Sequence, residues 1–97
     1  MNFIIPDWFP NVSGGANLYD IKDKMVAQIL REYKATIYNQ IGGMSNQYKY
    51  LCCAVDIDTG IPIWESFYSI EHARLWCRNE LETMGYRFIT DAQKNLL

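Results

Sequence analysis

The stretch Tyr48-Lys49-Tyr50-Leu51-Cys52-Cys53-Ala54-Val55-Asp56-Ile57-Asp58-Thr59-Gly60-Ile61-Pro62-Ile63-Trp64-Glu65-Ser66-Phe67-Tyr68 forces a choice between two faces. Two apolar runs flank Asp58-Thr59-Gly60. That loop suits a type I turn closed by a left-handed glycine, so Ile57 is expected opposite Ile61. Side chains alternate along a strand, and the rest of the register follows. Leu51, Cys53, Val55 and Ile57 then share a face with Ile61, Ile63, Glu65 and Phe67. Tyr50, Cys52, Ala54 and Asp56 share the other with Pro62, Trp64, Ser66 and Tyr68. The first face reads as core with one carboxylate set into it. The second gathers Tyr50, Trp64 and Tyr68 on an open face, with Tyr48 continuing the row.

Upstream, Leu18, Ile21, Met25, Val26, Ile29, Leu30, Tyr33, Ile37 and Ile41 gather on one side at 100° per residue, which predicts a helix over 18–41. Asn17 reads as its N-cap, Asp20 and Lys24 as a pair one turn apart, and Gly42-Gly43 as its stop. Met44 to Gln47 reads as a short turn. Pro6 and Pro10 each remove a backbone donor, so residues 2–10 read as an edge strand or an extended arm. Asn11 to Ala16 reads as a loop.

Downstream, Ser69 is placed to cap a second helix, with Glu71 in its first turn. Ile70, Ala73, Cys77, Leu81 and Met84 form its expected buried stripe, with Trp76 beside it and Leu75 pointing away. Gly85 falls where a helix commonly ends in a left-handed residue. Tyr86 to Thr90 reads as a short last strand, and residues 91–97 as a tail that forms at most one helical turn. The expected order is β-α-β-β-α-β, the split βαβ or ferredoxin-like arrangement. That is an α+β domain spanning residues 1–97, an antiparallel sheet of three or four strands with two helices on one face. Residues 1–16 form an arm or its edge strand, and residues 2–5 complete the sheet either in the same chain or in a neighbour.

Two partial family patterns accompany this reading. The segment from Ile63 to Ile89 runs as a strand, Phe67-Tyr68-Ser69, Glu71 and Ala73, Leu81, then Gly85-Tyr86 and a strand; it is similar to the halves of SPOR peptidoglycan-binding domains. Tyr50 to Trp76, with its turn, Ile63-Trp64, Phe67 and Glu71-x-Ala73, resembles AP2-type DNA-binding domains and the arm-binding domains of phage integrases. Each likeness covers about a third of the chain. The AP2 resemblance implies DNA contact from the sheet, but these strands carry Lys49 and not the arginines that contact DNA. The SPOR resemblance implies an exported protein, but the first residues lack a basic segment followed by a long apolar one. Both resemblances therefore inform architecture and not function.

Composition narrows the chemistry. The chain has 97 residues, 49% of them hydrophobic, and a net charge of −2. That is one domain with enough apolar material for a core. No cluster of Lys and Arg exists to neutralise phosphates, which argues against nucleic acid. No run approaches the ~18 apolar residues of a membrane span, which argues against a membrane. The three cysteines, Cys52, Cys53 and Cys77, are odd in number and irregular in spacing. They suggest neither a disulfide framework nor a zinc site, and they suit a reducing, cytoplasmic compartment. Cys53 and Cys77 fall on apolar stripes; Cys52 falls on the aromatic face and is expected to be accessible.

Few residues invite catalysis, and no cofactor or metal is expected. Glu65, set among apolar neighbours, is a possible ligand anchor or general acid/base. The competing structural reading is that the strand frays or bulges there, or that Glu65 pairs with Arg74 or Lys49 at the sheet rim. His72 has no Cys/His spacing around it. Asp56, Asp58 and Gly60 match part of a calcium loop, but turn chemistry accounts for them. The expected function is therefore binding without catalysis. We read a small interaction or regulatory protein, of the kind phages, plasmids or bacteria encode, that grips a protein partner or forms a homodimer. Trp64, Tyr68 and Tyr50 are its expected contact residues, with Trp8 and Phe9 on the arm next. A low-charge nucleic-acid module and a small-molecule binder using Glu65 are the alternatives.

Overall fold

The computed structural model describes residues 2–95. Its elements are β1 (Phe3–Ile4), β2 (Phe9–Pro10), β3 (Ala16–Tyr19), β4 (Met25–Tyr38), β5 (Met44–Val55), β6 (Pro62–Phe67), α1 (Ile70–Thr83), β7 (Arg87–Phe88) and the one-turn α2 (Asp91–Lys94). Strands β2 to β6 form a five-stranded antiparallel sheet in chain order, and β1 pairs with β7 in a separate parallel ladder. This corrects the ferredoxin-like expectation. The fold is mostly β, with a single long helix on one face of a meander instead of two.

The error lies in residues 17–41, which form β3, a turn and β4 and not a helix. The Asp20 carboxylate accepts hydrogen bonds from the backbone N–H groups of Lys22 (2.8 Å) and Lys24 (2.9 Å). Asp23 takes a left-handed conformation, φ 62°, which Asp tolerates better than most residues. Asp20 and Lys24 therefore face each other across a reversal and not along a helix. Beyond the turn the burial alternates, with Ala27 and Ile29 buried and Gln28 and Leu30 only partly so. Val26 is also buried because the β3–β4 register slips between Leu18 and Tyr19. Such a bulge puts two neighbours on one side and mimics helical spacing. Gly42-Gly43 ends a hairpin loop, where Asn39 N–H donates to Gly43 O at 2.9 Å. Met44 to Gln47, expected as a turn, opens β5.

The β5–β6 hairpin differs from expectation by one residue. Asp56 N–H donates to Ile61 O at 3.0 Å, so the loop holds Ile57 to Gly60. Asp56 Oδ1 collects the N–H groups of Asp58 and Thr59, each at 2.9 Å. Those backbone donors hold its carboxyl below the usual carboxylate range. Gly60 supplies the left-handed residue, φ 71°, as expected. Val55 thus pairs with Pro62, Cys53 with Trp64 and Cys52 with Glu65. Tyr50, Cys52 and Ala54 share the helix-facing side with Ile63, Glu65 and Phe67. Leu51, Cys53 and Val55, expected in the core, share the open side with Trp64.

The helix-facing side builds the core. Leu18, Val26, Ala27, Ile29, Cys52 and Ala54 meet Ala73, Cys77 and Leu81 of α1, with Ile4 and Tyr86 closing the end. Small residues along β5 and α1 let helix and sheet approach closely. The helix itself follows the sequence. The Ser69 side chain accepts from His72 N–H, Ala73, Cys77 and Leu81 are buried, Leu75 is exposed, and Gly85 is left-handed just past the end. Burying Leu81 and Leu18 fully stabilises the fold by roughly 1.5–3 kcal/mol each.

The N-terminal segment completes the body within the same chain. Phe3 and Ile4 pair with Arg87 and Phe88. The loop before β3 is clasped onto β4 by Asn11, whose amide donates to Ile29 O at 2.9 Å and whose side-chain oxygen accepts from Ser13 and Gly15 N–H. Gly15 is pressed against Ile29, and a Cβ there would collide with the Ile29 carbonyl. Gly15→Ala is therefore expected to lower unfolding free energy by about 2 kcal/mol or more, read by urea denaturation. A near-neutral result would mean that the loop is not held against β4.

Candidate functional site

Strands β4 and β5 are far longer than their neighbours, and this creates the most distinctive surface of the molecule. Strand β3 leaves β4 after Ile29, and β6 leaves β5 at Tyr50. The pairing of β4 with β5 continues to Tyr38 and Met44. The result is a two-stranded arm that projects roughly 20 Å beyond the sheet, in a molecule measuring 52 × 30 × 21 Å. Charges gather at its root. Lys34 pairs with Glu32 at 2.8 Å, Arg31 lies over the Tyr48 ring at 4.3 Å, and Glu32 sits opposite Lys49. Lys34 also holds the Glu32 carboxyl below its ordinary range.

From Ala35 to Tyr48 the arm carries no charged side chain, the longest such run in the chain. Its tip exposes Ile41 (93%), Tyr38 (75%) and Met44 (72%). A bulge at Lys34 shifts the alternation by one residue, so Tyr33 and Thr36 share a face and their hydroxyls bond at 2.6 Å. Thr36 in turn donates to the Asn46 side chain at 3.0 Å. On the face away from α1, the arm continues through Ile37 and Ala35 into Leu30, Leu51, Cys53 and Trp64 of the sheet. The charges along that path are Glu32, its cross-strand neighbour Lys49 and its ion-pair partner Lys34.

The expected contact residues are distributed and not gathered. Trp64 is 52% exposed on the open face. Tyr50 lies on the opposite, helix-facing side and packs half-buried against the core. Tyr68 is exposed just beyond β6. Trp8 packs against the core with the Arg74 guanidinium 5.9 Å from its ring, and Phe9 meets Tyr19 edge-on at 5.8 Å. The one-residue slip in the β5–β6 register separates Tyr50 from Trp64. The arm tip was missed as a site because it was read as the end of a helix and a turn. The long uncharged run from Ala35 to Tyr48 was the available signal.

Glu65 is exposed on β6, its carboxylate accepts from Ser66 N–H at 3.0 Å, and the expected ion pair with Arg74 or Lys49 is not formed. The buried setting that a ligand anchor or general acid would need is missing around it. His72 is exposed on the first turn of α1. It joins Phe67, Leu75, Trp76 and Asn79 around a shallow groove of about 250 Å³. A second cleft of about 360 Å³ lies between the end of α1 and β7, lined by Arg78, Glu82, Tyr86, Arg87 and Phe88. Among the described residues, no group of three or more His, Cys, Asp or Glu is arranged to hold a metal ion. No helix among them is long and apolar enough to cross a membrane.

The cysteines also trade places with expectation. Cys52, expected to be accessible, is fully buried and faces Cys77 across the seam between β5 and α1. Its thiol donates weakly to Tyr50 O at 3.8 Å, leaving its sulfur to accept from Cys77. That hydrogen bond, reinforced by burial, keeps the Cys77 proton in place far above the ordinary thiol range. Cys53 lies on the open face but is only 9% exposed, and burial raises its thiol. Comparisons with protein-family models, curated proteins and solved structures return no match. Timed alkylation of the native protein, followed by peptide mass spectrometry, is expected to label Cys53 first. Cys52 and Cys77 are expected to react only on unfolding. Early labelling of Cys52 would show that the hairpin register differs from the one described.

Proposed function

We propose that this chain acts by binding. It holds a protein partner, or a second copy of itself, on the charge-poor open face of the sheet and the arm that continues it. One observation carries this reading. The arm from Ala35 to Tyr48 stands away from the body without a charged side chain while exposing Ile37, Tyr38, Ile41 and Met44. An isolated two-stranded ribbon is marginally stable in water. Exposed strand edges are ordinarily blunted by charge, proline or a bulge. Here only the β4 edge carries such a device, the bulge at Lys34. Aromatic residues and Met are also the side chains that protein interfaces favour. Three unbridged cysteines suit a reducing cytoplasmic setting for such a protein.

The chemistry of the surface favours protein over nucleic acid. Stacking platforms for single strands are flanked by cations that track the backbone. On this face Lys49 and Lys34 both stand beside Glu32, and no cation lies between Ala35 and Tyr48.

The test is site-specific photo-cross-linking in the cell that makes the protein. A photoreactive side chain is placed at Tyr38, at Trp64, or at Glu82 on the far side of α1. Protein adducts are expected from the first two positions and not from Glu82. Trp64→Ala is expected to reduce the Tyr38 adduct while changing stability by less than about 1 kcal/mol. Equal labelling from all three positions would sink the reading. A large loss of stability in Trp64→Ala would place Trp64 in the fold and not at the interface.

A further inference from the structure

The outer edge of β5 is specific enough to name a partner, on the reading that the arm is a binding element. Antiparallel strands direct the N–H and C=O of alternate residues to opposite sides. At one end of β5, Asp56 closes the loop by donating to Ile61. Counting back by twos, Ala54, Cys52 and Tyr50 face β6, where the pairing stops at Phe67. At the other end, Asn39 donates to Gly43 O. Counting forward by twos, Ser45 and Gln47 face β4. Both counts agree that Met44, Asn46 and Tyr48 aim their backbone groups away from β4, where no other described strand pairs with them.

We infer that this edge pairs with the same edge of a second copy, antiparallel along Met44–Tyr48, about a twofold axis at Asn46. The two arms then form one four-stranded ribbon. The register sets Met44 opposite Tyr48 twice and Asn46 opposite its own copy, and each such pair exchanges two backbone hydrogen bonds. Met against Tyr is a favourable sulfur–aromatic pairing. Ser45 falls opposite Gln47 on the other side, hydroxyl against amide.

Charge and space select this register over its neighbours. Lys49 falls opposite Gly43 of the copy. Sliding the copy six residues toward the root would bring the two Lys49 side chains together, which is destabilising when like charges stand opposite. It would also drive the copy's strand into the end of β6 at Phe67. Sliding it outward would leave the Tyr48 backbone groups unpaired. In the chosen register the segment that meets the end of β6 is Gly42-Gly43, and a Cβ at Gly42 would itself have open space. Absence of charge from Ala35 to Tyr48 means that nothing in the arm repels its own copy, although the whole chain is net −2. The contact is isologous and closes at a dimer.

Sedimentation equilibrium over a concentration series tests the pairing. The wild type is expected to pass from monomer to dimer. Asn46→Pro removes an outward N–H and spares the backbone bonds to β4, losing there only the side-chain bond from Thr36, so it is expected to stay monomeric with an unchanged far-UV spectrum. In an oxidising thiol–disulfide buffer, a mixture of Ser45→Cys and Gln47→Cys chains is expected to give a disulfide-linked heterodimer. The oxidised glutathione accepts the two thiol electrons, and neither variant alone should cross-link. Strands opposed at a non-hydrogen-bonded pair stand at a separation a disulfide can span. Should Asn46→Pro fail to fold, the mixed cross-link decides. A monomer at every concentration overturns the inference. So does a dimer that survives Asn46→Pro without the mixed cross-link. In either case, adducts from Tyr38 and Trp64 to other proteins would leave the broader binding reading standing.

Discussion

The Asp56 carboxylate governs which side of the sheet becomes the core. By taking the N–H groups of Asp58 and Thr59, it closes a four-residue loop where a three-residue one was equally compatible with Asp58-Thr59-Gly60. A strand's side chains repeat every two residues, so one residue in a loop exchanges the faces of one strand relative to the other. Cys52 and Ala54 thereby enter the core beside Ile63. Leu51 and Cys53 turn outward beside Trp64.

That choice suits the helix. Where α1 crosses β5, the side chains are Ala54, Cys52, Ala73 and Cys77, all fully buried. Small residues on both surfaces bring the axis of α1 close to the sheet, and Leu18, Ile29 and Leu81 fill the space around the seam. The alternative face would have presented Leu51 and Val55 to the same stripe of Ala and Cys, holding the helix away and leaving gaps along it. The hairpin register and the helix composition thus agree with one another. The cost appears on the open side, where Leu51 and Trp64 stand partly in water next to the arm.

Local chemistry was legible wherever one residue type has one favoured use. Ser69 caps α1, Gly60 and Gly85 adopt left-handed conformations, Ala73, Cys77 and Leu81 are buried, and Leu75 faces out. The exposed position of Trp64 was also legible, although its neighbours were not. Residues 17–41 were misread because two turn-forming features imitated a helix. The Asp20–Lys24 reversal interrupts the strand alternation, and the bulge at Val26 buries two consecutive residues. Apolar residues spaced at three and four then arise from strands, and period alone does not separate the two cases. Thr36-Ile37-Tyr38 ahead of a Gly-Gly loop held the competing signal, since β-branched and aromatic residues fit a pleated ribbon.

By itself, the sequence determined the local events: caps, left-handed glycines, the stripe of α1 and the uncharged run between Lys34 and Lys49. Each depends on interactions within a few residues. Tertiary structure alone decided which apolar residues meet. Strand pairing joins segments far apart in the chain, its register turns on single residues in loops and bulges, and side-chain period does not specify it. For the same reason the arm is a product of the whole sheet. Nothing in Ala35 to Tyr48 says that β3 and β6 stop short, and it is the limits of β3 at Ala16, opposite Ile29, and of β6 at Phe67 that leave the ribbon exposed and the edge of β5 open.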